Sequence, residues 1–344
     1  MNTKPCGLAN LGNTCFLNAC VQALLSIDEF QETNVSTMSP DKIETIVLRE
    51  WQQMWGAMHS NESFNKVLVP KPFVQAIHAV AMKKDRILFT GFAQNDMPEF
   101  LLFFIECLHE SISRKANLHI QGTAENEVDH LARDCYSMLQ TSYARGDYSE
   151  FMDIFYGIYV SKITSLVGVS KSSKPEPFFI LDLPLSSDPR QTMESCFDRY
   201  VEKERLEREN AWWNEETKAK EDVYKHTLFW KFPPILVVVF QRFLANGQQK
   251  NNALVEFPLE NLDLSKYVVG YNAKQYVYDL FAICNHMGGI AGGHYTAFAK
   301  RACADKTAAW FHFNDTHVEA QTDLSAMVSP AAYCLFYRKK NKPV

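Results

Sequence analysis

Apolar residues recur at spacings of three or four in several parts of the first 112 residues, which is the spacing of one buried face of an α-helix. Four segments carry this pattern: Asn13 to Ile27, 41–59, 70–83 and Asp96 to Ile112. Asn13 or Thr14 can cap the first of them. Pro98 lies near the start of the fourth, where proline is tolerated in a first helical turn. The N-terminal third is therefore predicted to be mostly helical.

After Gly146 the pattern changes to short runs rich in β-branched and aromatic residues, which favour strands. The predicted strands are Ile154 to Val160, Phe178 to Leu185, Ile235 to Phe243, Tyr276 to Ala282, His294 to Lys300, Trp310 to Phe313 and Tyr333 to Arg338. Ala245 to Ala253 and Arg301 to Ala309 are polar connectors, and Gly288 to Gly293 is a predicted glycine loop. Helices first and strands later indicate an α+β protein, with an active cleft between the two parts.

One internal stretch, Cys196 to Glu221, is heavily charged and is most simply interpreted as a helix with a solvated face. Trp212 and Trp213 interrupt the charge, so they either pack back onto the body or form an exposed contact. Packing is the favoured interpretation, because tryptophan is usually well buried.

Composition narrows the class of protein. The chain has 344 residues, of which 47% are hydrophobic and 22% charged, with a net charge of −5, and these values fit a globular protein rather than a disordered, coiled-coil or membrane-bundle protein. The charge is too balanced to indicate nucleic acid or an anionic membrane as the partner. No secretory signal is recognisable at the start, so we expect an intracellular protein, cytoplasmic or nuclear. Nine scattered cysteines without a CxxC pair predict reduced thiols and neither a structural metal nor a cofactor.

Cys15 is the first candidate for chemistry. It lies in GNTCFLN at the predicted opening of a helix, where backbone N–H groups and the helix dipole stabilise a thiolate. Asn10, five residues upstream, has a side-chain amide that could donate to an oxyanion beside the turn at Gly12. Taken alone, Cys15 also fits a small buried residue and Asn10 a turn residue.

His294 and the pair Asn314–Asp315 are the candidates near the other end of the chain. His294 lies between glycines and an alternating strand, in GGHYTAFAK, and could take a thiol proton and later protonate a leaving amine. Asn314 and Asp315 follow the strand WFHF about twenty residues later, which suits a hairpin that returns beside His294. Either could orient the imidazole. Each signal alone also fits a structural histidine or a turn dipeptide, but together they indicate a thiol hydrolase.

Five blocks of the chain, in order, resemble the boxes of the ubiquitin-specific protease (USP) family. They are GLANLGNTCFLN, QNDMPEFL, ILVVVFQRF, HMGGIAGGHYTAFAK and WFHFNDTHV, and the resemblance covers Cys6 to Arg338. The resemblance implies a papain-like cysteine protease fold with a helical thumb, a β-rich palm and β fingers. It also implies hydrolysis of the isopeptide bond after the C-terminal glycine of ubiquitin. A single catalytic domain over 1–344 is expected, with the thumb over about 1–145, palm and fingers over about 146–344, and the fingers at roughly 155–235.

Carried over by position, the resemblance gives each catalytic candidate a role. Cys15 matches the nucleophile, His294 the general base and Asn10 the oxyanion donor. Asn314 matches the third member of the triad, with Asp315 as a neighbour that assists, and the division of labour between these two stays open.

The same resemblance gives expectations for the ubiquitin tail. Asp96 and Glu99 match the acidic positions that hold the arginines of the tail, and Gln94 opens the same box. Gly292 and Gly293 match glycines before the histidine, where a missing Cβ lets a diglycine tail lie close. His286 matches another recurrent family position near the tail channel. Ubiquitin or ubiquitinated proteins are thus the expected partners, and an activating protein partner is a further possibility of the resemblance.

The chain departs from the family pattern in the fingers. Many members carry two CxxC pairs that bind zinc, but Thr164 to Val167 occupies about the first position and Lys218 to His226 contains no cysteine. Zinc is therefore not expected, and the fingers must be held by packing, with four aromatic residues as candidates: Trp212, Trp213, Phe229 and Trp230. Two alternatives stay open, a ubiquitin-binding module without turnover and a protease for a ubiquitin-like modifier.

Overall fold

Six of the seven α-helices in the described residues precede the first long strand. The computed structural model describes residues 4–31, 38–91, 93–243, 249–289, 292–303 and 307–340. The helices are α1 (Cys15–Leu24), α2 (Thr45–His59), α3 (Lys71–Lys83), α4 (Met97–Ile112), α5 (Glu127–Arg145), α6 (Glu150–Phe155) and α7 (Met193–Tyr200). All four predicted helices are present, although α1 and α2 are shorter than the patterns that predicted them. In these same ranges no helix combines the length and the apolar character needed to cross a bilayer.

The largest sheet has eight strands and contains most of the C-terminal third. Its strands are β5 (Ile180–Leu183), β11 (Ile235–Phe240), β13 (Leu262–Asp263), β14 (Val277–Gly289), β15 (Gly292–Ala302), β16 (Ala308–Asn314), β17 (His317–Ala320) and β18 (Ala332–Lys339). The order across the sheet is β17-β16-β15-β14-β18-β11-β5, with β13 attached to β14. Neighbouring strands from β17 to β11 are antiparallel, and β5 joins β11 in parallel. Helices before this sheet confirm the predicted α+β class.

A second sheet has four strands in the order β4-β3-β10-β7. These are β3 (Gly157–Ser165), β4 (Ser170–Phe178), β7 (Glu204–Leu206) and β10 (Val223–Lys231). Short pairs of strands complete the fold: β1 (Gly7–Leu8) with β2 (Val67–Leu68), β6 (Arg190–Thr192) with β12 (Leu254–Glu256), and β8 (Trp212–Asn214) with β9 (Ala219–Glu221).

Helix α1 lies at the junction between the helices and the large sheet. All ten of its residues are buried, and it contacts α4 on one side and β14, β15 and β16 on the other. A helix that is buried all round cannot turn about its axis without disrupting its neighbours. The first residue of α1 is therefore held at a fixed place beside the sheet.

The predicted charged helix from Cys196 to Glu221 is wrong. Helix α7 ends at Tyr200, and the chain continues as β7, β8 and β9, of which β7 pairs with β10. The stretch has too few apolar residues to form a helical stripe, so the backbone gains more from pairing with a neighbouring strand. Lys218, with φ of 53°, lies in the turn between β8 and β9.

The four aromatic residues predicted to hold the fingers divide into two groups. Phe229 and Trp230 are buried, as predicted, whereas Trp213 is 48% exposed and its predicted packing is wrong. Trp212, its neighbour, is half-buried. Adjacent residues of a strand point to opposite faces, so a strand as short as β8 cannot bury both tryptophans.

Smaller differences concern the ends of elements. The strand predicted from Ile154 starts at Gly157, because Phe151 and Phe155 are buried four residues apart on α6. The predicted glycine loop is mostly strand, since β14 reaches Gly289 and β15 starts at Gly292. Parts of the predicted loop and connectors, namely 245–248, 290–291 and 304–306, lie outside the described residues.

Candidate active site

The segment before α1 folds around the side chain of Asn10. Its Oδ1 accepts hydrogen bonds from the backbone N–H groups of Gly12 (3.0 Å) and Thr14 (3.2 Å). Gly12 and Asn13 both have positive φ, 100° and 55°, which reverses the chain direction just before the helix. This turn leaves Cys15 as the first residue of α1, as predicted.

Cys15 is 4% exposed, and its helix packs against β15. Burial raises the pKa of Cys15, a hydrogen bond from the backbone of Tyr295 acts in the opposite direction, and the negative charge of Asp315 raises the pKa further. We predicted a thiolate stabilised by the start of the helix, and the direction of this shift is the reverse. Desolvation of the charged form outweighs the contribution of the helix end. The sulfur nevertheless lies next to the residue that follows His294.

His294 and Asn314 lie on neighbouring antiparallel strands and are hydrogen-bonded. His294 Nε2 is 2.7 Å from Asn314 Oδ1. An amide oxygen can only accept, so in this pair Nε2 carries the proton and the neutral ring keeps Nδ1 as its acceptor. The hairpin that was predicted from the twenty-residue spacing is β15 with β16. The geometry thus pairs the imidazole with Asn314.

Asp315 makes different contacts from those of its neighbour. Its Oδ2 accepts from Asn10 Nδ2 at 2.9 Å, and its Oδ1 accepts from Asn18 Nδ2 at 2.7 Å. Its backbone oxygen accepts from the N–H of Leu8 at 2.9 Å. The carboxylate therefore joins the turn after β16 to the segment around Cys15, on the side of the oxyanion candidate.

A cavity of about 650 Å³ adjoins these residues. It is lined by Asn13, Gln94, Asn95, Asp96, Phe243, His286, Gly289, Gly292, Gly293 and Tyr295. Five of the six residues that the resemblance assigned to the ubiquitin tail are in this lining. The sixth, Glu99, is exposed and borders a separate depression of about 350 Å³ together with Arg86 and Leu102. Its predicted contact with the tail stays a prediction.

Asp96 is the N-terminal cap of α4 and also faces two tyrosines of the sheet. Its Oδ1 accepts from the backbone N–H of Glu99 at 3.2 Å, while its Oδ2 accepts from Tyr333 Oη at 2.8 Å and Tyr295 Oη at 3.4 Å. Burial raises the pKa of Asp96, and these hydrogen bonds oppose the rise. The side chain thereby joins α4 to β15 and β18 at one wall of the cavity.

The glycines before His294 are required by their neighbours in the fold. A Cβ on Gly293 would lie 2.3 Å from His286 Nε2 and 2.5 Å from the backbone oxygen of Met287. Gly292 has φ of 153°, and a Cβ there would lie 2.9 Å from Gln94 Oε1. Gln94 Oε1 also accepts from the N–H of Gly293 at 2.8 Å. The position that each Cβ would take is thus already filled by other atoms of the protein.

His286 is 96% buried (4% exposed) beneath these glycines. Burial and the nearby charge of Lys250 lower the pKa of His286 to about 4, so the ring is neutral at pH 7. Lys250 Nζ donates to the backbone oxygen of His286 at 2.7 Å, and burial lowers the pKa of this ammonium to about 8. The ring packs between Phe243 and Tyr295, with centroid distances of 5.6 and 4.7 Å. His286 therefore supports the wall of the cavity as an uncharged group.

The sequence interpretation missed Asn18, Tyr295, Tyr333 and Lys250. Asn18 could have been found, because it lies three residues after Cys15 on the predicted helix, and residues at that spacing share a face. Tyr295 and Tyr333 were included only in predicted strands, where a buried tyrosine gives no sign of the partner of its hydroxyl. Lys250 lies in a predicted polar connector, where nothing in the sequence indicates partial burial.

Metal ligands do not come together in the described ranges, where no group of three or more His, Cys, Asp or Glu side chains could hold an ion. All nine cysteines are free thiols. The end of the β3–β4 hairpin, where zinc was not expected, carries exposed Leu166, Val167 and Val169. The absence of zinc stays a prediction.

Comparison with solved structures supports the fold. The chain aligns over 98% of its length, and over 70% of the matched chain, with the SAGA DUB module of Ubp8, Sgf11, Sus1 and Sgf73 bound to monoubiquitin, with a TM-score of 0.72 and 22% identity. A structure of the same module bound to ubiquitin aldehyde gives a TM-score of 0.70 at 21% identity. At this level of identity the match establishes the shared fold.

Comparison of sequences identifies the family. Ubiquitin carboxyl-terminal hydrolase Usp2 of Drosophila melanogaster is 31% identical over 97% of this chain and 35% of its own length. Ubiquitin carboxyl-terminal hydrolase 2 of Homo sapiens is 29% identical over 100% of this chain and 57% of its own length. The chain thus spans between about a third and somewhat over half of these curated relatives. The family model described as ubiquitin carboxyl-terminal hydrolase matches residues 6–337, and the chain therefore belongs to that family.

Proposed function

We propose that this chain is a thiol hydrolase that cleaves the peptide or isopeptide bond after the C-terminal glycine of ubiquitin. The observation that carries the proposal is the bond of 2.7 Å between His294 Nε2 and Asn314 Oδ1, beside a sulfur that is hydrogen-bonded to the backbone of Tyr295. An oriented imidazole next to a buried thiol is the arrangement that nucleophilic catalysis requires.

In the proposed reaction, Cys15 Sγ attacks the glycyl carbonyl while His294 Nδ1 takes the thiol proton. Burial raises the pKa of Cys15, so the thiol keeps its proton in the free chain and the imidazole removes it as the bond forms. Asn314 accepts from the Nε2–H throughout and holds the tautomer. The amine then leaves with the proton from His294, and water hydrolyses the thioester.

Asn10 stabilises the oxyanion in this proposal. Its amide nitrogen has two hydrogens, one of which is donated to Asp315 Oδ2, and the second remains for the developing negative charge. Asp315 accordingly assists through Asn10, while Asn314 assists through His294.

The cavity beside Cys15 receives the C-terminal tail of ubiquitin in this proposal. Gln94, Asp96, His286, Gly292 and Gly293 form its wall. The matched Ubp8 module is described as bound to monoubiquitin and contains three further proteins, so we extend both features to this chain: ubiquitin conjugates as substrates and a protein partner that raises activity. The free cysteines of this chain fit a protein that works inside the cell, where thiols stay reduced.

Hydrolysis of a fluorogenic ubiquitin C-terminal amide tests the proposal. The unmodified chain is expected to release the fluorophore, and Cys15→Ala is expected to release none. Cys20→Ala is the matched control, because it removes another buried thiol from the same helix and should leave the activity in place. Binding of ubiquitin without release would instead indicate a binding module, and release only from amides of a ubiquitin-like modifier would change the substrate.

A further inference from the structure

A half-buried carboxylate, that of Asp315, lies between two side-chain amides that flank the nucleophile. Asn10 precedes Cys15 by five residues and donates to Oδ2, and Asn18 follows it by three residues and donates to Oδ1. Asn10 is exposed, and its Oδ1 is already held by the N–H groups of Gly12 and Thr14, so the carboxylate adds the contact that holds its Nδ2. The carboxylate can hold Asn10 only if it is itself fixed.

Asn18 is the group that fixes the carboxylate. It is 2% exposed on α1, a helix buried along its whole length. Its Nδ2 lies 2.7 Å from Asp315 Oδ1 and 3.3 Å from the backbone oxygen of Ala9. A rotation of the amide by 180° would turn its oxygen toward both of these acceptors, so only one orientation is allowed.

The opposite end of the same amide supports this interpretation. Asn18 Oδ1 is buried without a hydrogen-bond partner. A buried polar atom without a partner lowers stability, and here two hydrogen bonds donated by Nδ2 of the same side chain offset that loss. Those two bonds reach the backbone just before Asn10 and the carboxylate that holds its side chain. Asn18 thus holds the acceptor toward which one Nδ2 hydrogen of Asn10 points.

We infer that Asn18 is a positioning residue for the oxyanion, acting through Asp315 on Asn10. The inference rests on the proposed function and deepens it, because it assigns the oxyanion side of the reaction to a chain of three residues. The imidazole side, from Asn314 to His294, is separate. Loss of Asn18 should therefore slow the step in which a carbonyl oxygen becomes negatively charged, with little effect on the thiol itself.

Two substrates distinguish an effect on the oxyanion from an effect on the thiol. A fluorogenic ubiquitin amide reacts through a tetrahedral oxyanion. A ubiquitin whose C-terminal glycine is replaced by 2-bromoethylamine reacts by displacement: the sulfur forms a C–S bond, bromide leaves, and the thiol proton passes to the imidazole. No oxyanion forms in the second reaction, although ubiquitin binding and the nucleophile are still required.

For Asn18→Ala we expect kcat on the amide to fall about 30-fold, with KM changed less than about threefold and the rate of alkylation by the bromoethylamine probe preserved. Asn18→Asp keeps the size of the side chain but opposes a second carboxylate to Asp315, so its loss of kcat should be at least as large. In the Asn10→Ala background, Asn18→Ala should cost less than about twofold, because the two residues act as one unit.

Gln22→Ala is the matched control. Gln22 lies one turn further along α1, is 1% exposed, donates from Nε2 to the backbone oxygen of Cys6 at 2.9 Å, and also has a buried oxygen without a partner. It tests what losing a buried amide from this helix does to folding. We expect thermal unfolding of Gln22→Ala and Asn18→Ala to shift similarly, and only the latter to lose kcat.

Three results would overturn the inference: an unchanged kcat in both Asn18 variants, an equal loss in the alkylation reaction, or a full additional loss in the Asn10→Ala background. A wild-type chain that is inert toward both substrates would overturn the proposed function itself. An active wild-type chain with an unaffected Asn18→Ala would overturn this inference alone.

Discussion

Two regions of this chain, around Asp315 and around Phe229, are held by different interactions. Where α1 meets β15 and β16, hydrogen bonds between side chains decide the geometry, with Asp315 accepting from two amides and Asn314 holding the imidazole. Around Phe229 in the four-stranded sheet, packing between aromatic rings decides the geometry. Phe229 lies 4.4 Å from the Phe232 ring and 5.6 Å from the Phe178 ring, centroid to centroid.

This difference follows from what each region has to do. Hydrogen bonds are directional and fix angles, so they suit a site in which a proton has to move between defined atoms. Aromatic packing depends mainly on buried area and stabilises a sheet without fixing any one atom. Substitutions in the first region should therefore lower the rate, and substitutions in the second should lower the stability.

The largest effect is expected in the four-stranded sheet. Phe229→Ala removes a fully buried ring and should lower the free energy of unfolding by about 3–5 kcal/mol. Urea unfolding measures this loss, and kcat per folded molecule should stay within about twofold of wild type. A large loss of kcat with intact stability would contradict the expectation that this region affects stability and not rate.

The next effect is the pH dependence of stability that comes from His286. Its pKa is about 4 in the folded chain and 6.5 unperturbed, so the stabilisation is complete above pH 6.5 and is lost as pH falls toward 4. The loss amounts to at most about 3 kcal/mol. Urea unfolding from pH 7 to 4 should show a smaller slope for His286→Gln than for wild type. Equal slopes would contradict a buried neutral ring.

Substitution of Asn314 is expected to lower kcat. Asn314→Ala leaves His294 without its partner and should lower kcat about 100-fold, equivalent to about 2.7 kcal/mol of activation free energy. The thermal unfolding temperature should change little, because Asn314 is half-buried. Asn314→Asp keeps an acceptor and is the matched control, expected to retain most of the activity. An Asn314→Ala variant that is as active as wild type would show that His294 does not depend on Asn314.

No effect is expected from a metal chelator. Thr164 to Val167 and Lys218 to His226 lack the cysteine pairs that hold zinc in many members of the family. Dialysis against EDTA should leave both the unfolding temperature and the activity unchanged. A fall in the unfolding temperature, with zinc recovered in stoichiometric amount, would show that the sheet depends on a metal after all.

The sequence predicted the positions of the candidate catalytic residues better than their surroundings. Cys15 at the start of a helix and His294 beside the pair Asn314–Asp315 could be inferred from local spacing, because a turn and a hairpin fix such neighbours. The contact of Asn18 with Asp315 and the partners of Asp96 could not, since each depends on contacts between residues more than 190 positions apart. The charged segment after Tyr200 was misassigned because pairing with β10 is a long-range contact that overrides local pattern.

Asn314 and Asp315 are adjacent, and the sequence left open which of them orients the imidazole. The positive φ of Asp315, 50°, turns its side chain toward Asn10 and Asn18 while Asn314 stays with His294. A difference between two neighbouring residues that depends on one backbone angle is not encoded in any spacing of residue types.

Mapping the alkylated residue shows which of the nine cysteines attacks the ubiquitin terminus. After reaction with the bromoethylamine derivative of ubiquitin, peptide mass spectrometry should find the thioether on Cys15 and on no other cysteine. Alkylation of another cysteine, or hydrolysis of ubiquitin amide by a chain whose Cys15 stays unmodified, would contradict the account.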